Sequence, residues 1–90
     1  MPYISQEDRE ELDRGFNFLK LVDFSLPITG GCINYLITKL CMAYVKRRGV
    51  SYSTYNDIIG ILESVKQEFY RRVVAPYEDN KKLENGDVYW

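Results

Sequence analysis

Apolar residues recur along this chain at spacings of three and four, which is the pattern of helices. Ser5 is placed to cap a helix that opens with Gln6, Glu7 and Asp8, the last two being acids where the helix dipole favours them. Leu12, Phe16 and Leu19 then supply one apolar face, with Phe18 and Leu21 off the stripe. The pattern predicts a helix over about 5–22, stopped before "SLPITGG" by Pro27 and the paired glycines. The most periodic stretch follows: Ile33, Leu36, Ile37, Leu40, Cys41 and Tyr44 predict a buried helix over 31–48. Lys46, Arg47 and Arg48 crowd its last turn and Gly49 follows, an ending that satisfies the final carbonyls. Its opposite face holds Tyr35, Lys39, Met42 and Lys46, a mixed apolar and basic surface.

A third helix is expected over about 54–75, capped by Ser53 or Thr54, with Tyr55, Ile58, Leu62, Val65, Phe69 and Val73 as its stripe. Gly60, one turn before Ser64, suggests a close helix crossing, since a mid-helix glycine costs about 1 kcal/mol relative to alanine. Pro76 ends this helix and starts a short C-terminal one over about 76–84, before the turn and aromatic end "NGDVYW". The expected architecture is all-α: a three-helix bundle plus a short C-terminal helix, one domain over 1–90, with no internal repeat. A chain of 90 residues buries only about 60–65% of its unfolded surface. The off-stripe residues Phe18, Tyr35, Met42, Ile59 and Tyr70 therefore call for assembly into a dimer or higher oligomer.

Charge narrows the functional classes. The net charge is -1, but residues 1–23 carry six acids and three bases, 24–75 three and seven, and 76–90 four and two. Acidic ends compete for the basic middle, which weakens a purely electrostatic nucleic-acid reading. The N-terminus has neither the basic start nor the apolar run of a signal peptide, and no segment approaches about 18 consecutive apolar residues. A cytoplasmic protein that stays off the membrane is expected. Cys32 and Cys41 lie half a turn out of phase and about 13 Å apart along one helix, too far to pair. Two free thiols in apolar packing fit a reducing compartment.

Several chemistries lack their residues. There is no histidine, so four-ligand zinc sites and histidine-activated nucleophiles are not expected. Asp57, Glu63 and Glu68 are not mutually three or four apart, so no two of them stack as a carboxylate pair. "TGG" before the second helix is a cap rather than a phosphate loop, though its backbone N–H groups suit an anion. No catalytic residue, cofactor or metal is expected, and the chain reads as a non-enzyme.

What remains is a set of basic and aromatic positions. Glu68 and Arg72 have the favourable four-residue order of an ion pair. Arg71 falls on the other side with Gly60, Ser64 and Gln67, so it is the uncompensated cation of the two, and Tyr70 emerges beside Ile59, Lys66 and Glu63. Arg71 and Tyr70, with Tyr35, Lys39 and Lys46 of the second helix, are the candidate contacts for an anion or a protein partner. "AYVKRRGVSYSTYNDIIG" also has the order of a helix-turn-helix, but the following helix is long and carries Asp57 early, which disfavours duplex DNA.

Together "NYLITKL", "NDIIGILE", "EFYRRVVAPYED" and "NGDVY" resemble a family of small uncharacterised proteins of bacteriophages and of bacterial and archaeal genomes. The resemblance spans nearly the whole chain and brings no activity with it. It implies a small non-enzymatic role, such as inhibiting a host protein or sequestering a nucleotide signal. The leading expectation is an interaction, adaptor or inhibitor module that forms a homo-oligomer. The alternative is a binder of a nucleotide or other small anion between subunits, and DNA binding is a third reading.

Overall fold

A computed structural model describes residues 2–89, apart from the side chain of Leu19. Met1, Trp90 and the Leu19 contribution to the first stripe therefore lie outside the described residues. These residues are helical with no strand among them, as the periodicity requires. They form two compact units, 2–56 and 57–89.

In the first unit, α1 (Gln6–Gly15) is capped by Ser5, whose hydroxyl accepts the Asp8 N–H at 3.1 Å. The N-terminal helical segment is bent rather than continuous to residue 22. It stops at Gly15 because Phe16 leaves helical geometry (φ -126°, ψ 88°), while its N–H still bonds Leu12 O. A short 3-10 helix, Phe18–Asp23, follows. The rings of Phe16 and Phe18 stack with centroids 6.1 Å apart across the break. This local pairing favours the bend over a further turn of α-helix.

The next helix, α2 (Gly30–Arg48), begins at Thr29, whose hydroxyl accepts the Cys32 N–H at 3.3 Å. It ends at Gly49, where φ 93° and ψ 155° fall in a region that only glycine enters without strain. Gly49 N–H closes the last turn on Val45 O at 2.7 Å. The cap of α3 (Tyr52–Phe69) is Ser51, earlier than Ser53 or Thr54. Ser51 Oγ accepts the Thr54 N–H at 3.1 Å and donates to Thr54 Oγ1 at 3.1 Å. Thr54 is instead the third helical residue. It is the one described residue that is buried, at 2% exposure.

Pro76 does not end the helix it was expected to end. From Tyr52 to Asn85 the chain stays helical, passing through a π-turn (Tyr70–Val74) into α4 (Ala75–Asn85). Proline lacks an N–H and its ring crowds the carbonyl four residues back, which here is Arg72. Widening the turn relieves both problems, and the Ala75 N–H reaches back five residues to Tyr70 O. Pro76 then occupies the first turn of α4, where a missing donor costs nothing. Gly86, with φ 89°, ends α4 by bonding Lys82 O at 2.9 Å.

Burial departs from the expectation for α2. Ile33, Cys41 and Tyr44 are half-buried, but Leu36, Ile37 and Leu40 are exposed. On α3, Ile58 is half-buried and the rest of the stripe is exposed. A Cβ at Gly60 would meet nothing within 4 Å, so the chain does not form the close crossing read from Gly60 and Ser64.

Candidate functional site

In unit 2–56 two exposed cations of α2 lie over tyrosines one turn back. Lys39 Nζ is 6.0 Å from the centre of the Tyr35 ring. The Arg48 guanidinium is 5.6 Å from the Tyr44 ring and also donates to the Tyr44 hydroxyl at 3.0 Å. Each cation rests on the electron-rich ring face, which steadies both long side chains at little cost in solvation. Of the positions singled out in the sequence, Tyr35 and Lys39 are thus brought together. Lys46 is exposed on the same helix, two turns beyond Lys39.

Unit 57–89 holds Tyr70 and Arg71, which face different partners. Arg71 donates to Glu68 Oε1 at 2.8 Å, three residues back. Arg71 is not the uncompensated cation expected from the helical wheel. Tyr70 donates its hydroxyl to Glu78 Oε1 at 2.6 Å. The bond holds Tyr70's pKa above the ordinary tyrosine value, with the negative charge of Glu78 adding to it. Glu63 accepts from Gln67 at 3.0 Å and lies 3.7 Å from Lys66 Nζ, and both contacts lower its pKa. Glu63, Lys66, Gln67, Phe69, Tyr70 and Val74 line a shallow, open depression. Its floor is apolar and its rim carries one acid and one base.

Sequence reasoning missed Tyr77, Lys81 and Glu78. Lys81 Nζ lies 5.5 Å from the Tyr77 ring and 3.2 Å from Glu84 Oε2. The signal was present, because Tyr35–Lys39, Tyr44–Arg48 and Tyr77–Lys81 share one spacing of four. Among the described residues no cluster of three or more potential metal ligands occurs. No described helix is long and apolar enough to cross a membrane.

The tyrosines and cations thus make paired, exposed surfaces flanked by uncovered apolar stripes. Chemically, such surfaces suit recognition by contact, with rings supplying area and cations supplying orientation. Residues 1–88 match a domain of unknown function, DUF6899. No curated protein and no solved structure matches the chain.

Proposed function

We propose that this chain, which belongs to the DUF6899 family, is a non-enzymatic interaction module whose apolar stripes are covered by another polypeptide. One observation carries the reading: among the described residues no apolar side chain is buried, although 46% of the chain is hydrophobic. Fixing each residue's backbone costs about 1–2 kcal/mol, and apolar burial is the main term that offsets it. Helices with uncovered stripes leave that cost standing until a partner supplies the missing surface.

The resemblance to phage and prokaryotic proteins supports a role as an adaptor or inhibitor, with the paired tyrosines and cations at the rim of the contact. Tyr35 and Lys39 support a second reading, in which the same surface holds a nucleotide or other small anion between subunits. Arg71 fits that reading less well because Glu68 already takes its charge.

Denaturant unfolding of the dilute chain tests the proposal. An unpartnered chain should lose helix over a broad, shallow transition that steepens when its partner is present. A monomer unfolding in one sharp transition, with the urea slope of about 1–3 kcal/mol/M typical of small domains, would overturn it. For the anion reading, a nucleotide that raises the melting temperature, with the rise lost in Lys39→Ala, would favour binding between subunits.

A further inference from the structure

The apolar stripe that α3 continues into the π-turn is symmetric about its own middle. Ile58, Leu62, Val65, Phe69 and Val73 follow one face, and Leu62, Val65, Phe69 and Val73 are 39%, 56%, 59% and 51% exposed. Ile58 and Val73 stand equally far from the point between Val65 and Lys66, and so do Leu62 and Phe69. An α-helix advances about 100° per residue and a π-turn less, so Val73 remains on the stripe despite the π-turn. A surface with this spacing is self-complementary under a two-fold axis, the requirement of an isologous dimer.

We propose that the occupant of this stripe is a second copy of the same stripe, running antiparallel to it. This rests on the reading of the chain as an interaction module and names its partner. Leu62 then meets Phe69 of the second copy, Ile58 meets Val73, and the two Val65 side chains meet at the axis. Ile59, Glu63, Lys66 and Tyr70 share one flank of the stripe. In an antiparallel pair this flank faces its own copy, so the two Lys66 side chains approach near the axis and each has Glu63 of the other chain within reach, on each side of the axis.

Charge and area both support the arrangement. Glu63 and Lys66 are exposed and lie 3.7 Å apart within the helix, so each can turn to the other chain without being desolvated first. The stripe with Ile59, Ile61 and Tyr70 offers apolar surface on the order of 700 Å² per chain, taking about 150–250 Å² for a whole large side chain. A standard interface buries about 800 Å² per partner.

Experiments on the full chain, with Cys32 and Cys41 changed to serine, test the proposal. Glu63→Lys and Lys66→Glu should each weaken self-association at least tenfold by sedimentation, and an equimolar mixture of the two should restore it. Each variant keeps its like charges within the helix in the mixture, so restoration reports contact between chains. Under mild oxidation, Ile58→Cys mixed with Val73→Cys should give the mixed disulfide. Disulfides of either variant with itself alone would show a parallel pair and overturn the proposal. An oligomer unaffected by Val65→Glu overturns it while leaving the interaction reading standing. A monomer that unfolds broadly does the same, and a monomer that unfolds sharply overturns both.

Discussion

The Tyr70 hydroxyl reaches Glu78 Oε1 at 2.6 Å across eight residues of continuous helix. In an uninterrupted α-helix two residues eight apart differ by about 80° around the axis, too far for a straight reach along one face. The π-turn between them takes up one extra residue, so the pair behaves as if it were seven apart, nearly in phase and two turns apart. Pro76 causes the π-turn, and the π-turn aligns Tyr70 with Glu78.

Replacing Pro76 with alanine should therefore undo the alignment. With an N–H restored at position 76 and the ring gone, the chain can bond back to Arg72 O and close as plain α-helix. The Tyr70–Glu78 bond should be lost while helix content rises and the amides of residues 74 and 75 exchange more slowly. The stability gained should stay below the about 3 kcal/mol cost of an interior proline, because Pro76 already sits in a tolerated position. NMR secondary shifts over 70–76 and hydrogen exchange provide the check. A π-turn that persists in Pro76→Ala would show that proline is not its cause.

The same bond sets a pH dependence. Glu78, through its hydrogen bond first and its charge second, raises the pKa of Tyr70 in the folded chain above that of the unfolded chain. The bond's contribution is thus fully present below the unfolded tyrosine value of about 10 and is lost as pH rises through the higher folded value. In a spectrophotometric titration, Glu78→Gln should return one tyrosine to a lower pH of ionisation. Tyr70→Phe should remove that step altogether, and α4 should then exchange its first-turn amides faster.

Much of this fold was legible because its punctuation is local. Ser5 and Gly49 act through their own turn, and each marks the helix end it was read to mark. Gly15 carried no comparable signal, since the break there is completed by the stacking of Phe16 on Phe18. Pro76 was legible as a disturbance but not as a π-turn, because its effect lies two to six residues upstream and depends on how the carbonyls are shared. The candidate site suffered for the same reason. A helical wheel leaves Arg71 without an acid and Glu78 off the face of Tyr70, whereas the chain bonds Arg71 to Glu68 and Tyr70 to Glu78.

The corner between α2 and α3 should be sensitive to small changes. Gly49→Ala forces a Cβ into φ 93°, ψ 155°, a conformation costing non-glycine residues about 1–3 kcal/mol. Ser51→Ala removes the α3 cap and should cost about 1 kcal/mol. Both should lower the denaturation midpoint at fixed protein concentration, with Gly49→Ala the larger effect, while Gly60→Ala, whose Cβ meets nothing, should raise it. A neutral Gly49→Ala would mean the corner adopts another backbone conformation in solution.

Cys32 offers a last test, of how the start of α2 is built. The Thr29 hydroxyl lies 3.4 Å from Cys32 Sγ and accepts the Cys32 N–H at 3.3 Å, so it serves the thiol and the cap together. Hydrogen bonding from the Thr29 side chain, the leading cause, lowers the Cys32 pKa. The thiolate is the reactive form, so alkylation of Cys32 should begin at a lower pH than for an ordinary thiol. Thr29→Ser should keep this profile, since it keeps the hydroxyl. Thr29→Val should move it to higher pH and fray the first turn, removing both bonds with little change in volume. Alkylation rates followed by mass spectrometry across pH, together with amide exchange at residues 30–32, would separate the two effects. A Cys32 profile unchanged in Thr29→Val would show that the hydroxyl caps the helix without tuning the thiol.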